Sequence, residues 1–136
     1  MSRFILAALI ATAAMRAGAA ELTIAIDGVA SADGKLMVAL YNDAGSFPSK
    51  PIRAVAVAAA VGAAQVRVKD LPAGDYAFAL YHDANDNGKM DRNAVGVPVE
   101  DYAFSNNALG RQGPPAFAEA RFTLPDGGTT TKVSLR

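Results

Sequence analysis

The chain has 136 residues, with 13 Lys and Arg against 13 Asp and Glu, one His, and no Cys or Trp. The lack of thiols excludes disulfides, cysteine nucleophiles and thiolate metal ligands. The balanced charge gives no electrostatic reason to expect nucleic acid or an anionic membrane surface as partner.

Arg3 opens a short positive front end, and residues 4–15 are almost wholly apolar. That run is too short for a permanent transmembrane helix. It ends in Ala17, Gly18 and Ala19, small residues that suit a signal peptidase site. Residues 1–19 are therefore expected to be a signal peptide and residues 20–136 a single exported domain, periplasmic or secreted. No stable membrane insertion is expected after cleavage. Cleavage after Ala20 fits nearly as well, and a retained N-terminal anchor is the competing reading. Without Arg3 and Arg16, 11 of the 13 basic residues face all 13 acidic ones, a net charge of about −2. About 117 residues is a normal size for one domain, and large enough to bury a core without disulfides.

Beyond the leader, hydrophobicity alternates with period two. Leu22, Ile24 and Ile26 come first, then Leu36, Val38 and Leu40. The stretch from residue 52 to 64 is ambiguous. Its alanines favour helix, while Val55, Val57 and Val61 favour strand. A strand over residues 54–59 is expected, with a helical turn near 46–51. Val66 and Val68 follow, then Tyr76, Phe78 and Leu80 in a run without charge that reads as a central strand. Ala118, Ala120, Phe122 and Leu124 alternate next, and Val133 and Leu135 close the chain. Clusters of Gly, Pro, Asp and Asn separate these runs. Residues 96–115 form the longest irregular stretch, within which Tyr102, Ala103 and Phe104 could make a short strand. The pattern predicts an all-β fold, a small antiparallel β-sandwich of about seven strands.

The segment 82–91 reads His-Asp-Ala-Asn-Asp-Asn-Gly-Lys-Met-Asp. Asp83, Asn85, Asn87 and Asp91 occupy relative positions 1, 3, 5 and 9, with Gly88 at position 6. These are ligand positions of an EF-hand calcium loop, with Lys89 offering its backbone carbonyl at position 7. A hard cation such as Ca²⁺ favours such a set of oxygens. Ala94 stands where the bidentate Glu would be, and the loop follows a strand, so this is no EF-hand. Asp86, Asn93, Glu100 or Asp101 would have to supplement it. The competing reading is that residues 85–88 are a plain turn, with Asn87-Gly88 as a hairpin signal, stabilised by Asp and Asn side chains.

Other candidates are weaker. His82, the only histidine, reads as a strand-end residue bonded to Asp83 or the loop. Ser105 lacks a nucleophile-elbow signature. Tyr102, Phe104, Ser105, Asn106 and Asn107 could form a recognition loop, the amides offering both donors and acceptors. Tyr41-Asn42-Asp43 echoes Tyr81-His82-Asp83, so neighbouring strands could bring Asp43 to the loop. The absence of Trp argues against sugar stacking.

The block Leu71-Pro72-Ala73-Gly74-Asp75-Tyr76, followed by Tyr81 through Asp91, then Gly96-Val97-Pro98, Glu100, Tyr102 and Phe104-Ser105-Asn106-Asn107, resembles an uncharacterised bacterial family, domain of unknown function 2141. The resemblance extends to Phe117, Ala120 and Phe122. It implies a secreted or periplasmic domain, similar to transthyretin-like and carboxypeptidase-regulatory-like sandwiches, and no known activity. The expected function is a non-enzymatic extracytoplasmic module that binds a protein or envelope component, with a weak calcium loop. The alternatives are a purely structural domain without metal and a small-ligand carrier or hydrolase. A deep pocket near Tyr102, Phe104 and Phe117 would favour the carrier.

Overall fold

The computed structural model describes residues 20–111 and 113–136. The expected signal peptide, residues 1–19, lies outside the described residues. The described residues form eight strands: β1 (Ala20–Val29), β2 (Lys35–Tyr41), β3 (Arg53–Ala58), β4 (Gly62–Leu71), β5 (Gly74–Asp83), β6 (Tyr102–Phe104), β7 (Phe122–Leu124) and β8 (Thr129–Ser134). One sheet has the order β4-β1-β8. The other has the order β3-β2-β5-β6, with β7 also paired to β5. This all-β arrangement of three and five strands is consistent with a sandwich.

The alternating residues of both sheets meet in one core. Leu22, Ile24 and Ile26 of β1 join Leu36, Val38 and Leu40 of β2 and Tyr76, Phe78 and Leu80 of β5. Val66 and Val68 of β4 and Val133 of β8 complete the layer from the smaller sheet. In β4, the run extends past Val68 to a buried Leu71 because Asp70 adopts a left-handed φ of 59°. The pairing with β1 shifts there, from Leu22↔Val68 to Ala20↔Leu71. The extra residue of this bulge restores the inward direction of the next side chain.

Three expectations are corrected. The sheets are not wholly antiparallel, because β1 and β8 run parallel, Ile24 opposite Thr131. Residues Phe117–Ala120 form a single helical turn, so the strand there covers only Phe122–Leu124. Asp43 lies at the wrong end of the sheet for the loop. β2 is antiparallel to β5, so Tyr41 stands opposite Ala77 while Lys35 stands opposite Asp83. Asp43 instead accepts hydrogen bonds from the Ser46 hydroxyl and amide, which lower its carboxyl pKa below its ordinary value.

The ambiguous alanine-rich stretch is a strand, Arg53–Ala58, with Val55 and Val57 packed toward the core and the alanines outward. Ahead of it, the Lys50 amide donates to the Ser46 carbonyl at 2.8 Å, closing a turn that contains the cis Phe47–Pro48 bond in place of the expected helical turn.

Candidate functional site

β5 carries the candidate loop on its C-terminal end. A long connection, residues 84–101, leads from there to β6 and contains two turns in series. In the first, the chain wraps around the buried carboxylate of Asp83. Asp83 Oδ1 accepts the Asn87 amide at 3.2 Å and Oδ2 accepts the Gly88 amide at 2.8 Å. Asp86 and Gly88 take the left-handed conformation, with φ of 53° and 75°. Asn87 is not left-handed, so the turn over residues 85–88 is wider than a two-residue Asn87-Gly88 hairpin.

The side chains at the expected positions converge. The Asn85 side-chain amide donates to Asp91 Oδ2 at 2.6 Å, and that of Asn87 donates to Asp91 Oδ1 at 2.7 Å. The Lys89 amide donates to Asn87 Oδ1 at 3.0 Å. Glu100, one of four supplementary residues considered from sequence, returns to the loop. Its Oε1 accepts the Asp91 amide at 2.8 Å and its Oε2 accepts the Ala84 amide at 3.2 Å, joining both ends of the loop. The other three do different work. Asp86 pairs with Lys35 at 3.5 Å. Asn93 Oδ1 accepts the Val95 and Val97 amides, closing the second turn. The Asp101 carbonyl accepts the His82 amide at 2.9 Å.

The electrostatic signature of this cluster appears at Tyr81. Its phenol is pushed above the ordinary value of 10.0, first by burial and then by the charges of Asp83, Glu100 and Asp91. The three carboxylates nevertheless do not share one point. Among the described residues, no three His, Asp or Glu side chains are grouped to hold one ion. A cation here would rely on Asn85 and Asn87 oxygens and the Lys89 carbonyl beside the carboxylates. A half-turn of each Asn amide exchanges its nitrogen for an oxygen in nearly the same place, because both ends of the group are similar in size.

His82 points to neither Asp83 nor the loop interior. It is buried, with Nε2 2.6 Å from the Asp33 carbonyl. A carbonyl only accepts, so Nε2 carries the proton in this contact. The turn before β2 thereby supports the loop from below.

The second candidate group divides. Ser105 is fully buried. Its hydroxyl donates to the Ala120 carbonyl at 2.6 Å and accepts the Phe78 amide at 3.0 Å. Asn106 donates to the carbonyls of Glu119 and Arg121, and Asn107 Oδ1 accepts the Ser134 amide. These polar groups tie β5, β8 and the helical turn together. Tyr102 and Phe104 project from the outer face of the larger sheet, their rings 6.0 Å apart. Phe47 bridges Phe104 and Phe117 by edge contacts at 6.0 and 5.9 Å. Phe104 also lines a cavity of about 500 Å³, together with Met90 and Arg92. Sequence reasoning missed Met90 and Arg92. Sequence alone held no signal for them, because the alanine floor they border exists only once β2, β3 and β5 pair.

Fold and site together define an all-β chain of two sheets, with an oxygen-rich loop at the end of a central strand. The chain belongs to the family described as an uncharacterized protein conserved in bacteria (DUF2141), whose model matches residues 24–132. A search of curated proteins and a search of solved structures each gave no match.

Proposed function

We propose that this protein is a non-enzymatic extracytoplasmic binding or accessory module on a β-sandwich frame, whose residues 83–91 hold Ca²⁺ with help from Glu100. The observation that carries the reading is the convergence of Asn85 and Asn87 on both oxygens of Asp91, with Asp83 and Glu100 on either side. The plain turn does not require Asp91 at that spacing. The extracytoplasmic location rests on the apolar leader ending in Ala17-Gly18-Ala19. The partner is an unidentified protein or envelope component, with neither nucleic acid nor membrane insertion involved. Among the described residues, no helix is long and apolar enough to cross a membrane.

The second reading, a structural domain without metal, is favoured by one specific feature. Both oxygens of Asp83, Asp91 and Glu100 already accept N–H groups. Calorimetric titration of the metal-stripped protein with CaCl₂ separates the two. The calcium reading predicts saturable binding with Kd of about 10⁻⁴ to 10⁻³ M, lost in Asp91→Ala. Absence of binding up to about 10 mM, well above the weakest extracellular sites, would leave the loop as a structural turn.

A further inference from the structure

The outer face of the larger sheet carries a second site. Pairing places Ala39 of β2 opposite both Ala54 of β3 and Ala79 of β5, and Ala79 opposite Phe104 of β6. Three small residues in register across three strands leave a trough, because nothing larger than a methyl group rises from its floor. The next cross-strand row, with Met37 opposite Tyr81, forms one wall. Phe104 closes the end. The cavity above this floor has a volume of about 500 Å³, and a second cavity of about 520 Å³ adjoins it. The two share Met90, Arg92, Phe104 and Pro114. Either volume is within the range of small-molecule sites, about 300–1,000 Å³.

The charged side chains that line this groove have one sign among the described residues, although the loop carboxylates act on its Tyr81 wall. Arg92 lines both cavities and Arg111 lines the second, while among the described residues no Asp or Glu lines either. The Arg92 guanidinium donates to the Gly96 carbonyl at 3.1 Å, and among the described residues it forms no ion pair. That carbonyl occupies one of its nitrogens and leaves further N–H donors for a carboxylate or similar anion.

We propose that this groove binds a small amphipathic anion, with its apolar body along the alanine floor and its anionic head at Arg92. An apolar trough alone would not select a head group. The Arg92 guanidinium at the junction of the two cavities, without an ion-pair partner or a lining carboxylate among the described residues, makes the preference anionic. The inference is independent of the cation loop, so its test is run in chelator, which separates failure here from failure there.

The experiment is fluorescence displacement of anilinonaphthalene sulfonate from the purified protein. Decanoate is the probe, and decanol and decyltrimethylammonium are the neutral and cationic controls. Decanoate is expected to bind at one saturable site, about tenfold more tightly than decanol, as one charge-assisted hydrogen bond provides. Arg92→Gln should abolish that preference while leaving decanol binding unchanged. Ala79→Leu should fill the floor and remove binding of both. If Ala79→Leu does not fold, Ala56→Trp, on the exposed strand β3, narrows the same cavity from a solvent-facing position. Equal affinity for decanoate and decanol would overturn the proposal, as would binding that survives both filling variants. Absence of saturable binding by decanoate would overturn it as well.

Discussion

Ser105 shows how a residue with catalytic potential can be wholly committed to the fold. β5 pairs with β6 through residues 79–81 and with β7 through residues 74–76. Between these stretches the Phe78 amide has no partner strand, and the Ser105 hydroxyl accepts it while donating to Ala120. Ser105→Ala would leave a buried N–H and a buried carbonyl unpaired. The expected destabilisation is about 1–3 kcal/mol, read from the urea midpoint. An unchanged midpoint would show that the gap is bridged in another way. None of this was legible at Ser105 from sequence, because its role depends on where two separate strands stop. The loop residues were more legible. Position-by-position oxygen chemistry picked out Asn85, Asn87 and Asp91, whose side chains bond to one another, and Asp83, whose carboxylate instead holds the Asn87 and Gly88 amides. The return of Glu100 could be offered only as one of four possibilities, since it depends on the path of the second turn.

Among the elements, the turn before β2 has the clearest influence on the loop. Gly34 adopts a φ of +64°, and a Cβ added there would collide with the Asp83 carbonyl. His82 reaches the Asp33 carbonyl from below, and Lys35 reaches Asp86 from the side. Gly34→Ala is therefore expected to cost about 1–3 kcal/mol from the backbone conformation alone, with further loss from the collision. Thermal unfolding measures the first effect. A calcium titration of the folded fraction should show weakened affinity, because the Asp83 end of the loop must shift. Strand β3 illustrates the opposite case, in which a weak sequence signal was correct. Alanine composition favoured helix, but the Val-Ala alternation prevailed, since valines pack inward while alanines line the outer groove. The 117–120 segment misled for the same physical reason. Alternating alanines fit a strand and a helical turn equally well, and the chain supplies no partner strand there.

For the whole molecule, period-two patterning sufficed to indicate an all-β class and most of the core, because side chains of a strand alternate between faces whatever its neighbours are. Strand order was not legible. The parallel pairing of β1 with β8 joins opposite ends of the described chain, and no local pattern encodes it. The outer groove was hidden for the same reason, since its floor exists only once Ala39, Ala54 and Ala79 align across three strands. The resulting molecule carries two features on one side of β5, an acidic loop at its end and a basic-rimmed apolar groove beside it. Asp91 lies between Met90 and Arg92, so one short segment contributes to both.

Whether residues 83–91 hold a cation is read residue by residue in a CaCl₂ titration followed by ¹⁵N–¹H correlation spectra of the whole protein. A bound cation should give saturable shifts at the Gly88 amide and at the side-chain amides of Asn85 and Asn87. The two Asn side chains should lose their bonds to Asp91 as their oxygens turn inward. Unchanged side-chain amide resonances at saturating calcium, or shifts scattered over surface carboxylates without saturation, would contradict cation binding there.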